Sequence, residues 1–522
     1  MGVAMRRPYQ GQGDNRDLRG PPEPDDRTNQ FRNALGATRS ERRAQDDVVR
    51  FGVLPEPPPR DRKVFAVLSL LGLVLVVAAV SAYVGMTFMP RWLAAMKDTP
   101  AEASVAEVPL AEPARPRAAA PQLAAVQSIV PTAPSVAAAA VQARSPGPAV
   151  QGVTDTEIRF GMAAPFAGPA KEMGRQLKLG IETAFAAANA NGGVDGRQLK
   201  LVTADDGYEP TRTLNAMKEL YEKDQVFGFI DNYGSPTALI SIPYALDHRA
   251  LYFGAFTGAN SLRHDPPDRY VFNFRAGYAE EADAIVRYLV KVRRLRPEEI
   301  AVLTQQDAYG EAGMDGVTKA MRALRNGNAS PILRMTYNRN TVNVDEAVAL
   351  LRRQKIPIKA VVLVATFRPA AKFIEKTRDI YPEMVYATIS GVGSTGLADE
   401  LKLLGPRFVD GVIVTQVVPA VDSYASVSLV YKRALANYFP GEAPDYVSLE
   451  SFLTANVLIE GLRRVGPQLD TETLVDRLES LHDFDMGLGP RVSFGPAEHQ
   501  AVHKVWGTQL DNNGQYHAID LE

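Results

Sequence analysis

Three sets of residues in this 522-residue chain have types and spacings that could do chemistry. Gly391, Gly393 and Gly396 spell G-x-G-x-x-G between a strand-like run and a helical one. Such a loop can cradle a pyrophosphate, but the acid that would hold the ribose should follow the next strand, and Asp410 precedes the strand expected at Gly411–Gln416. A nucleotide site is therefore disfavoured. His499 and His503 stand four apart, as helical metal ligands would, yet Lys504–Leu510 has an extended pattern and no third ligand accompanies them. They read as structural. Asp205-Asp206 and Glu280-Glu281 resemble paired acid–base carboxylates. Neighbours in a strand face opposite ways, however, and the glutamates open a helix where acids suit the dipole, so both pairs should be solvated or capping. The chain has no cysteine, which excludes disulfides, thiolate chemistry and Cys-ligated zinc. No serine or histidine carries a cue for an activated nucleophile. An enzyme is not expected, nor a cofactor, nor a metal site.

Binding is the remaining chemistry, and the elements that would position it begin at 158–210. Ile158–Ala163 is a short apolar run that Pro165-Phe166-Ala167-Gly168-Pro169 interrupts. Leu177, Ile181, Ala184, Phe185 and Ala188 then fall on one helical face, Asn191-Gly192-Gly193 ends the helix, and Gln198–Thr203 resumes an extended pattern. A strand, helix and strand of this kind start a parallel sheet, whose ligands bind beyond the carboxyl ends of the strands. Phe166-Ala167-Gly168 is thus the first candidate for a ligand wall.

Net charge is −2, so no global electrostatic argument favours nucleic acid, and 46% hydrophobic content is ample for more than one core. Residues 1–63, rich in Arg, Asp, Pro and Gly, should be a disordered tail. Val64–Met89 carries no charge and is long enough to cross about 30 Å of hydrocarbon at about 1.5 Å per residue. The cations before it outnumber those after it, which predicts a cytoplasmic N-terminus and an uncleaved single-pass anchor in the cytoplasmic membrane. Residues 90–150 include an Ala/Pro-rich spacer, and 151–522 alternates strand-like and helical runs throughout. That length fits two α/β lobes. Asn512-Asn513-Gly514 predicts a hairpin near the end.

The ordered set PFAGPAKEMGRQLKLGIETAFAAANANGGVDGRQLKLVTADDGYEP, DNYGSPTALISIPYALDHRALYF, QQDAYGEAG, SGVGSTG and FGPAEHQAVHKVWGTQLDNNGQ resembles the type I periplasmic binding proteins. The likeness is greatest to the amino-acid receptors of branched-chain ABC importers and covers 151–522. It implies two doubly wound parallel-sheet lobes joined by three crossings, about 151–275 with 419–488 and about 276–418 with 489–522.

Carried over position by position, the resemblance implies a cleft between the lobes. It would be lined by Ser235 behind Tyr233, by Ala255, Phe256 and Thr257 as a second carboxylate loop, by Tyr309 from the opposite lobe, and by Thr366 and Phe367. The receptors usually carry, at the position of Ser390 before Gly391, an acid that pairs with the ligand ammonium. A neutral hydroxyl cannot replace that charge-assisted bond. With Phe166, Tyr233, Phe256, Tyr309 and Phe367 nearby, the expected ligand is an amino acid or related carboxylate with an apolar or aromatic body. The expected partners are that solute, an ABC permease and the membrane. The alternative is a ligand-sensing regulator that signals through residues 1–63.

Overall fold

The computed structural model describes residues 150–325, 327 and 331–522. The expected tail, membrane span and spacer lie outside the described residues, apart from Val150. Among the described residues no helix is long and apolar enough to cross a membrane.

Two sheets organise the rest. The first is β1 (Glu157–Ala164), β2 (Gln198–Asp205), β3 (Gly228–Ile230), β4 (Leu251–Phe253) and β5 (Val271–Phe272). It is parallel throughout, in the order β2-β1-β3-β4-β5. The second has the order β12-β11-β10-β9-β8-β6-β7, from β6 (Ile300–Gln305), β7 (Leu333–Tyr337), β8 (Ala360–Val364), β9 (Val385–Thr388), β10 (Ile413–Gln416), β11 (Trp506–Leu510) and β12 (Tyr516–Ile519). Its last two pairings are antiparallel, and the hairpin turns at 511–515 as Asn512-Asn513-Gly514 predicts. Every residue of β6 and β8 is buried, which accounts for the apolar runs at 300–303 and 360–364: helices cover both faces, so no alternation survives.

The helix Lys171–Ala190 buries the face read from its spacing, with Leu177 and Ile181 fully enclosed. It packs along the helix Tyr446–Val465, whose start Asp445 fixes by accepting bonds from the Val447 and Ser448 amides. A Cβ at Gly180 would lie 2.2 Å from the Ser448 carbonyl oxygen, so the two backbones meet where only glycine fits. The chain crosses to the second sheet after β5, and the segment Val492–Ala501, expected with the second lobe, runs beside β5 instead. The Asn273 amide donates to the His499 carbonyl at 2.7 Å, and Phe494 sits edge-on against Phe272.

Gly180→Ala gains about 1 kcal/mol of helix propensity, but the overlap forces the helices apart, an overpacking cost of about 1–3 kcal/mol. Urea unfolding should show net destabilisation; a stabilised variant would contradict this packing.

Candidate functional site

The loops that leave β3 and β4 form one wall. Tyr233 and Phe256 pair across them as an isolated parallel bridge, with the Phe256 amide donating to the Asn232 carbonyl at 3.0 Å, and their rings stack at 6.0 Å. Tyr208, from the turn after β2, meets Tyr233 edge-on at 4.8 Å. Gly234 holds this corner with a φ of 97°, and a Cβ there would come within 2.3 Å of the Tyr208 ring. Ser235 opens the helix Ser235–Asp247, and its hydroxyl lies 2.8 Å from that of Thr257. Two hydroxyls thus stand at a helix N-terminus, whose unpaired amides favour negative charge.

The opposite wall comes from the second lobe. Asp307 caps the helix Ala308–Leu324 through the Tyr309 amide, which sets Tyr309 in the first turn. Tyr309 lies 5.4 Å from Tyr278, ring centre to ring centre, and Gly391 faces both hydroxyls closely enough that a Cβ would fall 2.9 Å from that of Tyr278. Between the walls remains a cavity of about 10 Å³, where about 10–15 Å³ holds one water.

The mouth is clasped. Arg339 reaches Glu209 at 2.8 Å and Asp307 at 3.0 Å, Asn340 donates to Glu209 at 2.6 Å and to the Gly207 carbonyl at 3.1 Å, and Gln305 donates to the Tyr208 hydroxyl at 2.9 Å. These contacts join the turn after β2 to the ends of β6 and β7. A solute can enter only if the lobes part.

Behind the cavity lies a buried ionic cluster. Arg275, at the crossing out of β5, is 1% exposed, pairs with Glu281 at 3.4 Å and Glu450 at 3.5 Å, and donates to the Ser390 hydroxyl. Its guanidinium lies over the Phe256 ring at 4.6 Å. Glu281 accepts from the Ser390 amide at 2.7 Å, the Ser390 hydroxyl at 2.9 Å and Thr415 at 2.6 Å. Burial raises the pKa of Glu281 despite Arg275 and these donors, and burial pushes Glu450 up to about 7, again against the pull of Arg275.

Of the residues named from sequence, Tyr233, Ser235, Phe256, Tyr309 and Gly391 line the cavity, with Thr257 and Ser390 directly behind Ser235 and Gly391. Ala255 is buried outside the lining, and Thr366 donates its amide to the Tyr337 hydroxyl at 3.1 Å. Phe367 packs near Gly393 and Gly396. Phe166 is half-buried and not in the cavity lining, and Asp205 accepts from its amide and that of Ala167 at 2.8 and 3.2 Å. Tyr208 and Tyr278 line the cavity and were not singled out from sequence, nor was Arg275 behind it.

The competing motifs resolve individually. Tyr278, Met173 and Phe367 cover the glycine loop at 391, 393 and 396. His499 stacks on Phe272 and lies 2.9 Å from the Val271 carbonyl, while His503 pairs with Glu280. Among the described residues no cluster of three or more His, Cys, Asp or Glu could hold a metal. Two acids depart from the solvated or capping expectation. Glu280 does cap its helix through the Gly277 amide, but Glu281 is fully buried in the ionic cluster. Asp206 is also fully buried, receives the Tyr208 amide at 2.8 Å and Thr213 at 3.0 Å, and is pushed up to about 6 by burial.

Two α/β sheets facing each other across a clasped cleft match known proteins. The profile described as "Periplasmic binding protein" spans residues 157–515. The chain belongs to that periplasmic binding protein family. It is similar to the Leu/Ile/Val-binding protein BraC3 of Rhizobium johnstonii, 25% identical over 65% of this chain and 88% of that protein. A possible leucine/isoleucine/valine-binding protein from Rhodopirellula baltica is 34% identical, with a TM-score of 0.66 over 72% of this chain and 98% of its own. A branched-chain amino acid ABC transporter protein from Thermus thermophilus, solved with bound valine, shares the fold at 17% identity and a TM-score of 0.62, covering 70% of this chain and 96% of its own.

Glu450 keeps its proton in the folded chain up to about pH 7 and loses it near 4.5 when unfolded. Its folded pKa is the higher, so the folded state binds more protons over that window and stability falls as pH rises. Relative to Glu450→Gln, the wild-type chain should lose about 2–3 kcal/mol between pH 4.5 and pH 8. A pH-independent difference in unfolding free energy would contradict this.

Proposed function

We propose that this chain is the solute receptor of an ABC importer, taking up an amino acid or related carboxylate with an apolar or aromatic body between its lobes. The observation that carries the reading is the pairing of the Ser235 and Thr257 hydroxyls, at the start of a helix, with rings from both lobes: Tyr208, Tyr233 and Phe256 facing Tyr278 and Tyr309. The hydroxyls and helix amides suit a carboxylate, and the rings suit an apolar body. The branched-chain ligands named for the relatives support the same class. The clasp at Arg339, Glu209 and Asn340 forms only when the lobes meet, so closure stabilises the shape a permease would read. Val64–Met89 would anchor the chain in the cytoplasmic membrane, with residues 1–63 in the cytoplasm and the two lobes outside.

Calorimetric titration of the purified chain with branched-chain and aromatic carboxylates should give dissociation constants of roughly micromolar, about −8 kcal/mol. Tyr309→Ala should weaken binding at least about tenfold, about 1.4 kcal/mol, while Phe166→Ala, away from the cavity, should leave it nearly unchanged. The opposite ranking would refute the placement of the ligand between these walls.

A further inference from the structure

We infer that the cleft selects carboxylic acids lacking an α-ammonium group, such as 2-oxo acids and unsubstituted alkyl or aryl acids, and rejects the matching amino acids. This deepens the carboxylate-receptor reading and rests on it. An ammonium group brought into a closed, largely apolar cleft must find acceptors, preferably an ionised carboxylate. Among the described residues, none of those lining the cavity is acidic.

Three acids near the cavity, Glu281, Asp307 and Glu209, are already committed, and Glu450 lies 3.5 Å from Arg275. Glu281 accepts from the Ser390 amide, the Ser390 hydroxyl and Thr415, and pairs with Arg275 at 3.4 Å. Those four interactions fill the roughly four lone-pair sites of a carboxylate. Asp307 and Glu209 at the mouth share Arg339, and each has further donors, the Tyr309 amide and Gln305 for the first and Asn340 for the second.

Ser390 is committed as well. Its hydroxyl proton goes to Glu281, and its oxygen accepts from Arg275. The side chain beside Gly391 therefore has no proton left to give and stands next to a guanidinium. Arg275 has donors to spare, since its Nε is buried with no hydrogen-bond partner and its Nη1 has only the 3.5 Å approach to Glu450. A second cation at this wall would meet Arg275, with Glu281 already occupied and no acid in the lining. A ligand oxygen or an apolar α-carbon meets no such opposition. Arg275 acts here as a specificity-determining residue through Ser390 and Glu281, without lining the cavity itself.

The test is calorimetric titration of the full chain with two matched sets: L-phenylalanine, phenylpyruvate and 3-phenylpropionate; and L-leucine, 4-methyl-2-oxopentanoate and 4-methylpentanoate. In at least one set, an acid without the ammonium should bind at least tenfold more tightly than the amino acid. Arg275→Gln frees one site on Glu281 and removes the guanidinium, so it should shift that ratio at least tenfold toward the amino acid. An amino acid that binds as tightly as its 2-oxo and unsubstituted counterparts in both sets overturns the inference and leaves the receptor function standing. An unchanged ratio in a folded Arg275→Gln chain also overturns it. Binding of none of the six removes both readings. If Arg275→Gln does not fold, the wild-type ranking decides alone.

Discussion

The burial of Arg275 is the constraint on which the two lobes depend. It sits where the chain first leaves the first sheet, yet it answers to both halves: Glu450 on the long helix of the first, Glu281 and Ser390 in the second. Removing one partner of a buried pair costs about 3–5 kcal/mol, because the other charge is left stranded. The crossing is therefore held in one place. Phe256, under the guanidinium, transmits that fixed point to the cavity wall.

A second set of contacts works at the other end of the cleft. Gln305 reaches the Tyr208 hydroxyl in a buried bond, while Arg339 and Asn340 bridge to the turn after β2 with half-exposed Glu209, which water can replace. Contacts of that kind contribute little individually, about 0–1 kcal/mol for an exposed ion pair. The molecule thus pairs a dry, costly hinge with a wet, inexpensive clasp. That asymmetry lets the lobes part at the mouth without unfolding at the crossing, and the cavity of about 10 Å³ requires them to part before any solute enters.

Much of this was legible in the sequence, and the reasons are local. The runs at 300–303 and 360–364 are continuously apolar because both faces of those strands are covered. The face at Leu177, Ile181 and Phe185 repeats every three or four residues because one side of that helix meets the core. The site was less legible. The family resemblance marks Tyr233, Ser235 and Phe256, which follow the short strands β3 and β4. Arg275 and Glu281 look like ordinary surface charges, since what buries them, Ser390, Thr415 and Glu450, lies more than a hundred residues away in sequence. Phe166 is not in the lining of this cavity. Its turn is at a strand end, where Asp205 accepts from the loop amides, a bond that no periodicity announces.

On the proposed function, a carboxylate solute closes the lobes over itself. The chain contains no cysteine, so spin labels can be placed cleanly at Lys223→Cys in the first lobe and Leu403→Cys, 84% exposed, in the second. Pulsed electron resonance should then show a broad distance distribution without ligand. Saturating 4-methyl-2-oxopentanoate or L-leucine, whichever binds, should collapse it to a single narrow distance. A distribution that stays the same while calorimetry shows the site filled would contradict the account.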